Sequence, residues 1–332
     1  MPQIKIKVNP QANKLIFSFL VALSLFALVL SLSLGSVSID IPTIWDSLTN
    51  QQTNVQTQII TELRFPRAAT AFLTGGLLAL SGVLMQVLLR NPLADPYILG
   101  ISGGAAVGAL LSITLGIASQ WIDIAAFIGA MLSMLVLFIL SKSNSSQSTD
   151  HLLLTGVVIA AGWGATINLL LIMADTQSIH SMLFWLMGDL TSVSMPSPLV
   201  PIILISALSI SWYFARDLNL LSQGEDKAQA LGSPVKRVRQ IAFVTAALCT
   251  AIAVSMAGSI GFVGLIIPHL LRLIIGSNHR LLLPASVLAG GSLLTLADLG
   301  ARTLFAPQQL PVGVITAIIG VPVFLYLLKR QP

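Results

Sequence analysis

The stretch RFPRAATAFLTGGLLALSGVLMQVLLRNPLADPYILGISGGAAVGALL, residues 64–111, decides how this chain folds. From Phe65 to Leu89 only Arg67 carries a charge, and about 20 helical residues suffice to cross a hydrocarbon core of about 30 Å. Pro92 and Pro96 then disfavour helix at Asn91 and Asp95, so a bent connection follows before the apolar run resumes at Ile98. Gly100, Gly104 and Gly108 recur at every fourth position and share a helix face, which lets a neighbouring membrane helix approach closely. Two spans joined by a proline-rich turn are the unit of a polytopic helical membrane protein.

The same pattern extends outward through the chain. Of 332 residues, 55% are apolar and 9% charged, against roughly 25% charged in an ordinary soluble domain. Apolar runs separated by polar breaks give ten candidate helices, at about 15–34, 65–89, 98–117, 121–141, 152–174, 199–215, 240–257, 261–276, 282–304 and 311–328. The predicted fold is therefore all-α, with about ten transmembrane helices in one domain, 15–330, after a short tail, 1–14. The first run follows Lys5, Lys7 and Lys14, yet at about 20 residues it exceeds a signal-peptide core and reads as a retained helix. Residues 178–190 are apolar but too short to span, and predict a short helix in or dipping from the outer face.

Charge sets the expected orientation. With both termini inside, 14 of the 17 lysines and arginines fall on the cytoplasmic side and only Arg64, Arg67 and Arg302 outside. Eight of the 29 charges crowd into RDLNLLSQGEDKAQALGSPVKRVR, residues 216–239, which this orientation makes cytoplasmic. Within it, Leu218–Leu231 reads as a short helix with Leu220, Leu221, Ala228 and Leu231 toward one side, stopped by Gly232, Ser233 and Pro234. Charges of both signs favour a cytoplasmic protein partner over a lipid surface, which prefers basic helices.

Several chemistries are missing from the sequence. There is no Gly-Lys pair, hence no phosphate-cradling loop for ATP on this chain, and LSQGE at 221–225 is no substitute. His151, His180, His269 and His279 are scattered without metal-ligand spacing and read as polar interfacial residues. Cys249 is single and reads as packing. No catalytic residue and no metal site is predicted. Two readings stand for Arg64, Arg67 and Arg302: snorkelling to headgroups, or capture of acidic groups on an external partner. Asp298 lies four residues before Arg302 and predicts a local pair.

Four stretches carry a family resemblance: residues 64–108, LNLLSQGEDKAQALG, AGSIGFVGLIIPHLLRLIIGSNHRLLLPASVLAGG and LPVGVITAIIGVPVF. Together they resemble the permease subunits of bacterial ABC importers for iron chelates and cobalamin, across nearly the whole chain from about residue 15. The resemblance implies the type II importer fold, in the bacterial inner membrane, with a second permease subunit forming a homodimer or close heterodimer. It implies two cytoplasmic ATPases carrying the ATP-Mg, and a periplasmic or lipid-anchored substrate-binding protein; no cofactor belongs to this chain. It places ATPase coupling on Leu218, Asn219, Leu220, Leu221, Ser222, Gly224, Glu225, Ala228, Leu231 and Gly232. It places binding-protein docking on Arg64, Arg67 and Arg302, and a cytoplasmic gate on Asn91, Leu93, Thr149 and Asp150. The implied cargo is an iron(III)-siderophore or related chelate, with cobalamin or haem as the alternative. An ion-coupled secondary transporter is the rival of another class, and would need intramembrane acids such as Asp298.

Overall fold

The protein is represented by a computed structural model that describes residues 10–35, 37–49, 54–141, 149–191 and 194–330. Residues 1–9 of the expected tail, including Lys5 and Lys7, and Lys142 lie outside the described residues. Regular structure among the described residues is helical. The chain runs through α1 (Pro10–Ser33), α2 (Ile41–Thr49), α3 (Val55–Gln58) and one π-helical turn (Ile59–Arg64) into α4 (Phe65–Leu88). After a 3-10 turn at Pro96–Leu99 come α5 (Ile101–Thr114), α6 (Ile122–Ser141), α7 (Thr149–Met173), α8 (Thr176–Leu186) and α9 (Leu199–Tyr213). Two short helices, α10 (Ala215–Leu221) and α11 (Glu225–Ala230), precede α12 (Val235–Ala257), α13 (Val263–Ile275), α14 (His279–Thr303) and α15 (Val312–Arg330).

Each of the ten expected apolar segments coincides with one of these helices. Among the described residues, seven stretches are long and apolar enough to cross a membrane, and an eighth is obtained if α9 and α10, bent by 62°, form one span. The other two, α5 and α13, are apolar but shorter, with 14 and 13 residues. A helix of that length reaches about 20 Å and leaves part of the core to flanking backbone, which must then be buried in protein.

α4 is the axis of the bundle, with most of its residues buried, whereas α7 faces mostly outward. Small residues explain how α4 can be so enclosed. A Cβ at Gly75 would stand 2.2 Å from the Gly290 carbonyl oxygen of α14, and one at Gly82 only 1.9 Å from the Gly264 carbonyl oxygen of α13. Backbones meet at these points, so dispersion and interhelical hydrogen bonds replace the hydrophobic drive that lipid removes. One such bond runs from Ser81 Oγ on α4 to the Ala246 carbonyl of α12. The spaced glycines of α5 act likewise: Gly104 and Gly108 lie against the backbone of α6 at Gly129 and Ala125. Gly100 differs, taking a left-handed conformation (φ 75°) that ends the 3-10 turn and starts α5.

The short apolar segment expected at 178–190 is α8 and its exit. Its end is tied into the protein: Asp189 N–H donates to the Ala257 carbonyl, and Val312 N–H to the Gly188 carbonyl. The tip therefore meets the end of α12 and the start of α15, satisfying backbone groups that lipid could not. Cys249 is fully buried in α12. Two histidines depart from expectation: His269 and His279 are buried rather than interfacial, at 7% and 1% exposure.

Candidate functional site

Charge collects at the two ends of α4. The arginine end gathers Arg64, Arg67 and Arg302, distant in sequence, because α14 runs antiparallel to α4 and returns Asp298 and Arg302 beside Arg67. Arg64 closes the π-helical turn, a feature often found where a helix is adapted for function. Its guanidinium donates to the carbonyls of Leu32 and Ser33 in the last turn of α1 and of Val37 beyond it, and the residue is 4% exposed. Those acceptors are neutral, so they satisfy its N–H groups without cancelling its charge. Arg67 meets Asp298 through Nε, at 2.9 Å and 3.0 Å, and through Nη2 at 2.8 Å, while Nη1 donates to Gln309 Oε1 at 2.8 Å. Asp298 is wholly buried.

The local pair expected between Asp298 and Arg302 is present but long, and Arg67 joins it as the closer partner. Arg302 Nε stands 4.0 Å from Asp298 Oδ2, whereas Nη2 donates to Ser31 on α1 at both its carbonyl and its hydroxyl. Helical spacing brings the i,i+4 pair onto one face, but the facing helix supplies the better aligned guanidinium. The exposed, lipid-seeking arginines of the snorkelling reading are also absent here, since all three side chains are bonded into α1, α14 or the segment before α15. Gln309 had no signal in the sequence: it lies in a polar connection and acquires its role only when that connection folds over Arg67.

At the other end of α4 lies the bent connection. α4 finishes in a Schellman-type turn, with Asn91 N–H reaching back to the Gln86 carbonyl and Arg90 left-handed at φ 47°, where glycine is usual. Asn91 is exposed and its Oδ1 accepts from Leu93 N–H, a local turn that holds half-buried Leu93 in place. Asp95 caps the 3-10 turn by accepting from Tyr97 N–H at 2.8 Å. Burial pushes the Asp95 carboxyl up to about 6, against a smaller opposing effect of that backbone bond. Tyr97 Oη accepts from Ile260 N–H, which links the turn to the α12–α13 connection. The other expected gate residues, Thr149 and Asp150, open α7; their side chains lie outside what is described.

The polar segment stands at this same end. Its single expected helix over 218–231 is two helices, α10 and α11, separated by Ser222, Gln223 and Gly224. Gly224 takes φ 120°, ψ 147°, a backbone position that breaks helix and suits glycine. Leu218, Leu221 and Ala228 are buried against the bundle, and Leu220 is half-buried. Leu231, expected on that side, is instead 62% exposed, because α11 ends at Ala230 and Gly232 turns left-handed at φ 79°. Ser222 and Gly232 are exposed with it. Asn219 faces inward: its Oδ1 accepts from both N–H and Nδ1–H of His279. Glu225 pairs with Arg239 on α12 at 2.8 Å, fixing α11 to the following span.

The arrangement is thus a packed axial helix with a buried ionic cluster at one end and a protruding two-helix polar segment at the other. Among the described residues, no cluster of three or more His, Cys, Asp or Glu could hold a metal ion. Residues 23–330 match the family described as the FecCD transport family. The hemin transport system permease protein HmuU of Yersinia pestis is 38% identical, with 96% of each chain covered. The cobalamin import system permease protein BtuC of Halobacterium salinarum is 40% identical over 82% of this chain and 74% of its own. A solved metal-chelate type ABC transporter in an inward-facing conformation superposes with a TM-score of 0.84 at 33% identity, covering 96% of this chain and 99% of that one.

Proposed function

We infer the function from one premise: the chain belongs to the FecCD transport family. It is a multi-pass membrane permease subunit of an ABC importer, with the type II importer fold, and members of this family are not themselves enzymes. We propose that it lies in the bacterial inner membrane with both termini cytoplasmic, pairs with a second permease subunit, and lines a path for an iron(III)-siderophore or related iron chelate. Two ATPase subunits, holding the ATP-Mg, would dock from the cytoplasm, and a periplasmic or lipid-anchored binding protein would deliver the cargo. The resemblance to a metal-chelate type transporter supports the iron-chelate reading. The relatives named for hemin and cobalamin support the alternatives of haem and cobalamin.

The observation that carries the coupling role is the two-faced segment Leu218–Gly232. Leu218, Leu221 and Ala228 root it in the bundle, while Ser222, Gly224 and Leu231 shape a turn open to a partner. Force applied at that turn would pass through Asn219 to His279 on α14, and through Glu225 to Arg239 on α12. The gate would be the Asn91–Leu93 turn with Thr149 and Asp150, anchored through Tyr97 to Ile260.

At the arginine end, Arg64, Arg67 and Arg302 outnumber the single Asp298. Carboxylates of a docked binding protein would replace the neutral carbonyls that hold Arg64 and Arg302. The ion-coupled alternative is disfavoured because Asp298, the acid it would need, is already held by Arg67.

The test is Leu231→Glu in the full chain co-expressed with its ATPase subunits. Recovery of the ATPase with the tagged permease should fall about tenfold, the effect of roughly 1.4 kcal/mol, with the permease melting temperature unchanged. Undiminished recovery and ATP-driven uptake would remove the segment from the interface.

A further inference from the structure

The short helix α2 has three sides. Ile44 and Ser47 face inward, Ile44 into a small core with Leu32, Ile39 and Ile60, and Ser47 bonded to the Thr57 hydroxyl. Ile41 and Trp45, one turn apart on the same face, point outward with 62% and 69% of their surface exposed. Asp46 and Thr49 are exposed as well. At about 100° per residue, Ile41 and Trp45 form an apolar edge between the buried side and the polar side that carries Asp46 and Thr49. Two large apolar side chains so placed are costly to keep in water.

The edge is fixed close to the bilayer. α1 is itself long and apolar enough to span from Asn13 to Ser33, and residues 34–40 alone separate it from α2. That connection closes on itself: Ile39 N–H donates to the Ser33 carbonyl, and Ser33 Oγ donates to the Ile39 carbonyl. α2 therefore begins where the span ends, at the level of the headgroups. Exposed apolar side chains run through the junction in chain order, Phe26 and Val29 on α1, Leu34 and Val37 in the connection, then Ile41 and Trp45. Charge argues against a protein occupant. Asp40 and Asp46 are exposed beside the edge, so a partner bringing carboxylates to the arginines of this end would meet like charge here. A zwitterionic lipid interface carries no such penalty, and tryptophan is a residue that interfaces favour.

We propose that α2 is a membrane-surface anchor. Its Ile41–Trp45 edge lies in the headgroup–acyl boundary of a zwitterionic bilayer, with Asp46 and Thr49 turned to water. The anchor braces the connection whose Ser33 and Val37 carbonyls hold Arg64.

The test places a bimane fluorophore on Trp45→Cys, Ile41→Cys or Asp46→Cys in the full chain, reconstituted in phosphatidylcholine vesicles. Cys249 is fully buried, so the wild type supplies the unlabelled blank. Phosphatidylcholine with a doxyl quencher near the headgroup should quench the label at 45 and at 41 about threefold more than at 46, as expected for an edge sunk about 5–10 Å into the boundary. A doxyl group near the chain end should quench them less. Iodide in the water should show the reverse order, quenching 46 most. Ile41→Cys keeps the native Trp45 beside the label and reads the same edge if Trp45→Cys fails to fold. Equal lipid quenching at 46 and at the edge positions would overturn the proposal. So would iodide reaching 45 and 41 as readily as 46 in the vesicles, since the edge would then stand in water for a protein to cover.

Discussion

The two ends of α4 handle charge in opposite ways. At the arginine end, guanidiniums and a carboxylate are withdrawn from solvent and bonded to α1, α14 and Gln309. At the other end, α10 and α11 hold their charges outward around a small buried seam, with one partly exposed pair between Glu225 and Arg239. The first arrangement makes electrostatics part of the packing. The second leaves charge available to whatever binds there. Buried charges cannot lose a partner cheaply, whereas exposed ones exchange partners with water at little cost.

That contrast can be broken most sharply at Asp298. Asp298→Ala strands the Arg67 guanidinium in a buried site and should destabilise the chain by about 3–5 kcal/mol, read as thermal unfolding in detergent; a loss near zero would show the cluster to be solvated. Gly82→Ala probes the packing that encloses both ends. Its methyl would collide with the backbone at Gly264, costing about 1–3 kcal/mol of overpacking, whereas at Gly224 nothing lies near a Cβ and an alanine would be strained only by the φ of 120°.

Asp95 gives a smaller, pH-dependent effect. Its folded pKa of about 6 exceeds the ordinary 3.8, so the native state holds the proton more tightly than the unfolded chain. Its contribution is complete below about 3.8 and is lost as pH rises through 6. Asp95→Asn preserves the cap and should flatten the melting-temperature profile across that window; an unchanged profile would assign the pH dependence elsewhere. The smallest effect belongs to Glu225→Gln, about 0–1 kcal/mol. If it lowers ATP-driven uptake much more than melting temperature, the pair transmits motion rather than stability.

Much of the fold was legible in the sequence because lipid imposes a simple rule: a crossing needs a long apolar run. All ten such runs became helices, and the proline turn at 91–96 ended α4 where backbone restriction required. The candidate site was legible by residue and much less by partner. Arg64, Arg67 and Arg302 stood out by charge, yet Asp298 is held more closely by Arg67 across the bundle than by Arg302 on its own helix. The polar segment stood out too, but its division at Gly224 followed from one glycine's backbone and placed Leu231 outside the seam.

The sequence by itself determined the solvent of each segment, membrane or water, since transfer free energy depends on composition and run length alone. Only the tertiary structure decided which charges were neutralised and which histidines were buried. Those outcomes depend on hydrogen-bond geometry between helices hundreds of residues apart, and side-chain bonds are lost within about an ångström of misplacement.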